Sequence, residues 1–527
     1  MHHFPSLDSI SASVGVPKDI LKLLGLLLLS TPLSIPLASF KSRSIHIYSI
    51  LCSTIFLLGV FHLTSGWIQL VLTSFATWLT LKIRLNSKSL KSNTPWWIFF
   101  GLLGHLTINH ARRLFWNVSP DTVEITGSQM VLVMKLSTFA WNVYDGQQPS
   151  DRLDAYQRST AIKELPGLLE FFGYCFFFPS LLVGPAIPFS EYSKFAARRD
   201  LGLASLPGRG AHAVRKIATG LLFAALVGLY GSQWSYDTIL EDDFLAKSWL
   251  QRLWHLQVAG FMSRARYYLV WCLAEASLAM SGCGYNSSKG DWSGGRNIEI
   301  KEIELAQNYK GVFDNWNMKT NTWLRECVYK RVAVIEGNKP GFKSTMATFG
   351  ASAAWHGPLP AYFLAFLSGG FLQALGRSIR GTIRPFFLGP SRASKIIYDG
   401  LCIIGTQTTL NYLVVPFVLL DIGSTRVVYN RLGWYGHILA GVPMLVLWAG
   451  GYERKLRKLH ASRSNEKESK ASVTSKQTKL TASIQPVIVA SGNNKTVITA
   501  ITNPIDGQKT ISMTTLIGEN PKSTSKS

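Results

Sequence analysis

Residues 20–40 read ILKLLGLLLLSTPLSIPLASF, with Lys22 the one charged side chain. About 20 such residues, coiled as a helix, cross the hydrocarbon of a bilayer, where no water satisfies exposed backbone groups. The same texture recurs at Ile45–Leu63, Trp67–Ile83, Trp96–His110, Met130–Tyr144, Leu168–Ala186, Ile217–Trp234, Tyr267–Ser281, Ser344–Phe371, Lys395–Leu420 and Trp434–Trp448. The expected fold class is an all-α polytopic membrane protein. It would be a multi-helix bundle of about eleven apolar segments, some re-entrant, enclosing a chamber within the membrane. Composition agrees: of 527 residues, 47% are hydrophobic and only 16% charged, against roughly 25% charged in a soluble domain.

Leu23–Leu29, preceded by Lys18 and Lys22, has the look of a secretion signal. The apolar run continues through Pro32 and Pro36 to Phe40 without a distinct small-residue cleavage site, so it is expected to stay on the chain. After Trp448 the composition changes. Residues 451–527 carry 13 Lys and Arg against 5 Asp and Glu and are rich in Ser and Thr. They are expected to form a basic, disordered tail, although Thr496–Ile517 alternates apolar and polar residues. The expected organisation is therefore an N-terminal segment 1–19, a membrane body 20–450 and the tail 451–527.

The net charge of +24 would suggest nucleic acid in a soluble chain. Here the basic residues sit in short loops: Lys41 and Arg43; Lys82, Arg84, Lys88 and Lys91; Lys194, Arg198, Arg199, Arg209, Arg215 and Lys216. That is the pattern of cytosolic loops beside anionic lipid, and no nucleic-acid partner is expected. If the Lys194–Lys216 loop is cytosolic like the first two, Leu168–Ala186 must enter and leave on one side. Pro179, Gly184 and Pro185 suit a re-entrant or broken helix there. The six cysteines are scattered, form no CxxC pair or zinc spacing, and read as buried structural residues; no metal is expected.

An ionisable group in hydrocarbon is costly, which makes His356, inside Ser344–Phe371, a candidate functional residue. Small residues precede it, Ala351-Ser352-Ala353-Ala354, and Trp355-His356-Gly357-Pro358-Leu359-Pro360 then loosens the helix around the imidazole. By residue chemistry alone His356 is a base or a histidine bridging two helices. Upstream, Phe313-Asp314-Asn315-Trp316-Asn317-Met318-Lys319-Thr320-Asn321-Thr322-Trp323-Leu324 mixes carboxamides, indoles and a carboxylate, which suits a polar cavity wall. It runs into an amphipathic helix from Trp323 to Val334, with Arg325, Lys330 and Arg331 among apolar residues, that stops at Gly337-Asn338-Lys339-Pro340-Gly341. An interfacial helix anchored by tryptophans is the other reading of this segment.

Together these two elements resemble the membrane-bound O-acyltransferase family. Its active site has an Asn near the start of such a helix and a His in a following Trp-His-Gly membrane segment, matching Asn317 and His356 here. Two earlier stretches resemble the family's lysophospholipid branch: Ile125-Thr126-Gly127-Ser128-Gln129-Met130-Val131-Leu132 followed by Asp145-Gly146, and Phe176-Phe177-Phe178-Pro179-Ser180-Leu181-Leu182-Val183-Gly184-Pro185. The organisation is closest to the broad-specificity fungal type. Where members often follow Trp-His-Gly with two variable residues and Pro-Gly-Tyr, this chain has Pro358-Leu359-Pro360-Ala361-Tyr362. Phe313-Asp314-Asn315-Trp316-Asn317 partly echoes the sterol and diacylglycerol branch, so a neutral-lipid acceptor is the alternative.

The resemblance implies an integral enzyme of the endoplasmic reticulum membrane that moves an acyl chain from acyl-coenzyme A to the free hydroxyl of a lysophospholipid. Acyl-coenzyme A is then a co-substrate, with no bound cofactor, and membrane lipids surround the chain. His356 would be the base and Asn317 an amide that binds the developing oxyanion, the substrate carbonyl or the imidazole. Trp316, Trp355, Arg325, Lys330 and Arg331 are candidate substrate contacts, the basic three for the phosphates of coenzyme A. A transporter would also be polytopic with a buried histidine, but no second, repeated half is visible.

Overall fold

The structure, a computed structural model, describes residues 6–119, 121–197, 206–335, 341–387, 392–462, 487–491, 494–502 and 509–517. The chain forms two compact units, Met1–Arg380 with Phe386–Leu445, and Gly381–Pro385 with Val446–Ser527. The first unit is helical. Its principal helices are α1 (Lys18–Leu33), α2 (Ser42–Thr54), α3 (Thr64–Asn86), α4 (Asn93–Phe115), α5 (Ile125–Gly146), α6 (Leu168–Cys175), α7 (Arg209–Tyr230), α8 (Trp249–Ser281), α9 (Tyr309–Asn315), α10 (Met318–Leu324), α11 (Phe342–His356), α12 (Pro360–Thr382) and α13 (Arg392–Leu413).

The hub is α5. Of its 22 residues 17 are buried, polar ones included, as expected of a helix enclosed by others on every side. Helices α3 and α4 pack against it, and Asn109 of α4 donates to the side chain of Gln129 of α5 at 2.8 Å. A second core forms along α8, which packs on α7 and α1. Gly220 of α7 lets the two backbones approach, because a Cβ there would lie 3.1 Å from Leu273. The hydroxyls of Ser34 and Ser277 tie the end of α1 to α8 at 3.0 Å.

Among the described residues, fewer helices meet the length and composition requirements for crossing a bilayer than the apolar pattern suggested. Lys18–Ala38, Ser42–Val60, Arg209–Tyr230 and Arg392–Leu419 are long and apolar enough, and Ile422–Arg431 with Tyr435–Ala449, bent by 86°, make a fifth if they form one span. Helices α3, α4 and α5 have the length, at 23, 23 and 22 residues. What lowers their apolar character is polar side chains such as Gln69, Asn109 and Gln129, which bond one another inside the bundle. A helix inside a membrane bundle needs an apolar face only where it meets lipid. Leu168–Ala186 is interrupted, as its prolines suggested. The short α6 ends at Cys175, a single turn covers Phe178–Ser180, and Gly184 and Pro185 are joined by a cis peptide. Five of the six cysteines are buried and all are unpaired.

Three described segments of the tail are strands. Within the second unit, β1 (Val487–Ser491), β2 (Asn494–Thr502) and β3 (Lys509–Ile517) form an antiparallel sheet in the order β1-β2-β3, with Val497 opposite both Ile488 and Thr514. The alternation across Thr496–Ile517 is the strand period of two, and the neighbour it lacked in a linear reading is supplied by the adjoining strands. Residues 463–486, Arg198, Arg199 and the expected helix stop at 337–340 lie outside the described residues.

The end of α5 explains the Asp145-Gly146 pair. Asp145 is consumed by an ion pair described below, and a Cβ on Gly146 would sit 2.0 Å from the carbonyl oxygen of Ile162. That residue is held in place, since its amide donates to the Asn142 carbonyl at 2.8 Å. Backbone, not a flexible side chain, would have to move. Gly146→Ala should therefore destabilise the protein by about 1–3 kcal/mol or more. It should read out as a lower melting temperature and less monodisperse protein in detergent; an unchanged melt would show that the Ile162 segment yields freely.

Candidate active site

Two indoles set the site. Trp323, near the end of α10, donates from Nε1 to the Ser137 hydroxyl of α5 at 2.8 Å. Trp355, near the end of α11, donates to the Met130 carbonyl of the same helix at 3.0 Å. The two rings meet with centroids 5.7 Å apart. Below them, Phe313 of α9 packs edge-on against Phe349 of α11 at 5.3 Å. Asn317 lies between Phe313 and Trp323 in the chain, so its segment is pinned at both ends against the helix that ends in His356.

His356 is the last residue of α11. Gly357 follows at φ +138°, a conformation that favours glycine, and the proline-rich stretch leads into α12. The imidazole is half-buried and boxed by rings. Phe366 stacks on it at 4.9 Å, Phe417 stands edge-on at 5.1 Å, and Tyr362 and Trp355 lie at 5.6 and 4.8 Å. Among the described residues none hydrogen-bonds or ion-pairs with this ring, so it bridges no helices.

Asn317 is in the same condition. It occupies the N-cap of α10 at φ 43°, ψ 58°, yet its side chain caps nothing. Asparagine tolerates this left-handed backbone better than most residues and normally uses its carboxamide to satisfy the helix end. The first amides of α10 are served instead by Asn297: its carbonyl accepts from Met318 at 2.8 Å and its Oδ1 from Lys319 at 3.2 Å.

The remaining sequence candidates divide. Trp355 holds α11 to α5, as described. Trp316 is packed among Tyr267, Tyr268 and Trp271 of α8, at 5.3, 5.8 and 5.0 Å, and anchors the Asn317 segment. Arg325 borders a cavity of about 380 Å³ beside Trp323, which Lys135, Lys194, Lys319 and Tyr156 also line. Within it the Lys135 ammonium donates only to backbone carbonyls, the nearer being Tyr174 at 3.0 Å. Lys330 is occupied by Asp154 and Glu326 at 2.6 and 2.7 Å. Burial alone would raise the Asp154 carboxyl, but the Lys330 ammonium and the Gln157 amide outweigh it and hold the group below its usual range. Arg331 does not fit a phosphate-binding role. Its two terminal nitrogens clamp the Asp145 carboxylate at 2.8 and 2.6 Å, both groups are buried, and the guanidinium covers the Trp141 ring at 4.2 Å.

Several residues here were not singled out in the sequence. His110 of α4 lies against the Trp-His-Gly turn, its Cγ 3.5 Å from where a Gly357 Cβ would be, with its Nε2 buried and unpartnered. Lys135 is buried within α5. Asn297 and Glu275 sit behind Asn317. Nothing in their local sequence marks them, because each is a polar residue made significant only by what folding brings to it.

The sequence pattern of the membrane-bound O-acyltransferase family matches residues 114–418, which hold both Asn317 and His356. This chain belongs to that family. It is 36% identical over 456 residues to a lysophospholipid acyltransferase of Schizosaccharomyces pombe, covering 83% of this chain and 88% of that one. It is 34% identical over 491 residues to a lysophospholipid acyltransferase of Saccharomyces cerevisiae, covering 87% and 78%. Against the human membrane-bound glycerophospholipid O-acyltransferase 1 the identity is 30% over 408 residues, covering 72% and 79%. The protein is an integral membrane acyltransferase.

The Arg331–Asp145 pair provides a direct test of structural against phosphate-binding roles. Removing one partner of a buried ion pair leaves the other charge uncompensated, so Arg331→Leu should cost about 3–5 kcal/mol, and Asp145→Leu with Arg331→Leu should recover much of it. Thermal unfolding in detergent measures both. A wild-type melt combined with a raised KM for acyl-coenzyme A would return Arg331 to the substrate.

Proposed function

We propose that this chain is a lysophospholipid acyltransferase that takes its acyl group from acyl-coenzyme A and transfers it directly to the lysolipid hydroxyl, with His356 as general base and Asn317 as amide donor. The observation that carries the reading is a pair of side chains, an imidazole and a carboxamide, each without a hydrogen-bond partner among the described residues, on segments clamped together by the Trp323–Trp355 contact. Interior polar groups are normally hydrogen-bonded. Two left open on adjoining walls are suited to a ligand.

The chemistry follows from what each group can do. A thioester is already activated, while a lipid hydroxyl is a weak nucleophile until its proton is taken. His356 accepts that proton as the oxygen attacks the acyl carbon, which typically contributes about 10²–10⁴-fold. Asn317 donates an N–H to the thioester oxygen as it gains negative charge. The carbon–sulfur bond then breaks, and the leaving thiolate takes the proton from the imidazolium. No acyl-enzyme is required. The aromatic box around His356 keeps water from the thioester, and the lysine-lined cavity bordered by Arg325 has the charge to receive the phosphates of coenzyme A. All of these residues lie in the body 20–450, and the tail contributes none. The relatives' acceptors support a lysophospholipid over a sterol or diacylglycerol, and the endoplasmic reticulum is the membrane we assign.

His356→Ala and His356→Gln should both abolish transfer while leaving insertion near normal, because neither retains a base. Asn317→Ala should lower turnover by about 10²-fold or more, the scale for losing one oxyanion donor, whereas Asn321→Ala should do far less. Turnover is followed in membranes from a host lacking the activity. Substantial activity in either His356 variant would overturn the base assignment, and equal losses at Asn317 and Asn321 would make the segment's role structural.

The acceptor is tested separately by following thiol release with a panel of lipids. Lysophospholipids should release one thiol per acyl chain transferred, with diacylglycerol and sterol poor acceptors. Preference for a neutral lipid would move the protein to the other branch of its family.

A further inference from the structure

We infer that Asn297 is the positioning residue that frees Asn317 for substrate, and that Glu275 and Lys216 hold Asn297 in place. The inference rests on the reading of Asn317 as the amide donor. Its starting point is an unusual helix end. The first amides of a helix have no intrahelical acceptor, and an N-cap asparagine ordinarily supplies one from its own side chain. If Asn317 did so, its carboxamide would be folded back on α10 and lost to the site.

The acceptors come from elsewhere in the chain. Asn297, which is fully buried, covers the Met318 amide with its carbonyl at 2.8 Å and the Lys319 amide with its Oδ1 at 3.2 Å. One residue thus satisfies the first two amides of α10. A further strap holds the same turn, because the Lys319 ammonium donates to the carbonyl of Gly294. With its capping duty removed, Asn317 keeps a left-handed backbone and an unbonded side chain.

Asn297 is itself fixed from behind. The Oε1 of Glu275 on α8 accepts from the amides of Asn297 and Ile298 at 2.7 and 3.0 Å, and its Oε2 meets the Lys216 ammonium of α7 at 2.6 Å. The Glu275 carboxylate is 3% exposed, so this is a charge brought inside and compensated on both oxygens, by two amides on one side and an ammonium on the other. The path runs from the α7–α8 pair through Glu275 and Asn297 to the turn that carries Asn317. The Asn297 Nδ2 is buried with no partner, so only its acceptor side is used. That asymmetry gives the test.

Asn297→Ala removes the Oδ1 acceptor, and Asn297→Ser keeps an uncharged oxygen acceptor while discarding the unused nitrogen. Both are assayed in membranes at matched protein level, alone and with Asn317→Ala. We expect Asn297→Ala to lower kcat by up to about 10²-fold, the cost of misplacing a reacting group by an ångström, with KM for acyl-coenzyme A and lysophospholipid changed by less than about threefold. Asn297→Ser should keep kcat within about tenfold of wild type. In the Asn317→Ala background Asn297→Ala should cost little more, since it acts through the amide already removed. Full activity in Asn297→Ala, or an equal loss with and without Asn317, would overturn the inference while leaving Asn317→Ala inactive and its assignment intact. Should Asn297→Ala fail to accumulate, the Ser variant decides: a loss as large as that of Asn317→Ala overturns the acceptor role. An active Asn317→Ala would remove both readings together.

Discussion

The arrangement of the site depends on two indole N–H groups finding acceptors on one helix. Trp323 reaches Ser137 and Trp355 reaches Met130, seven residues apart on α5, about 10 Å at the helical rise of 1.5 Å per residue. Two short helices of different origin are thereby held against a common post, and the indole contact between them follows from that placement. Tryptophan suits the task because it joins a large apolar surface to one donor that must be satisfied when buried. In hydrocarbon there is no water to take over an abandoned N–H, so a bond worth little at a wet surface becomes restrictive. The hub can accept these indoles because α5 is enclosed by protein and need not present an apolar face to lipid.

The same logic explains where the charges of the body have gone. Arg331 with Asp145, Arg264 with Glu304, and Lys216 with Glu275 each join separate elements, and each carboxylate has more than one donor. The Arg264 pair also receives the Tyr268 hydroxyl at 2.6 Å. Such pairs seldom add net stability over apolar packing of the same volume, but they are costly to break singly. Their effect is therefore on specificity. A helix that slides by one turn abandons a buried charge, so the ion pairs select one register among many that greasy surfaces alone would accept.

The unevenness of what the sequence revealed has the same origin. The motifs of the proposed site were legible because their chemistry is local: an ionisable residue in an apolar run, carboxamides beside indoles, and a glycine after His356 that the structure places at φ +138°. The broken stretch after Leu168 was legible for the same reason, since proline acts on its own backbone. The number of spans was less legible, because an apolar run shows burial without saying whether lipid or protein does the burying. The Arg331–Asp145 pair was not legible, because an arginine on an amphipathic helix looks the same whether it faces phosphate or a carboxylate 186 positions away in the chain. The strands in the tail were visible as an alternation but lacked, in a linear reading, the neighbours that make alternation stable. Asn297 and Glu275 left no trace, because their meaning resides wholly in the backbone amides they meet.

A helix start that does not use its own cap has a consequence for how a membrane site can remain polar. A free carboxamide inside the bundle competes with every unsatisfied amide nearby, and helix ends supply several. For such a group to remain available to substrate, those competitors must be satisfied first. Asn297 answers two of them at the start of α10. At His356 the competition is removed differently, by surrounding the ring with Phe366, Tyr362 and Phe417, none of which contacts it through a hydrogen bond. In the proposed site one group is kept free by satisfying its rivals and the other by excluding them. Both strategies place the demand for specific residues outside the reacting pair, on positions where a substitution would alter activity without touching substrate.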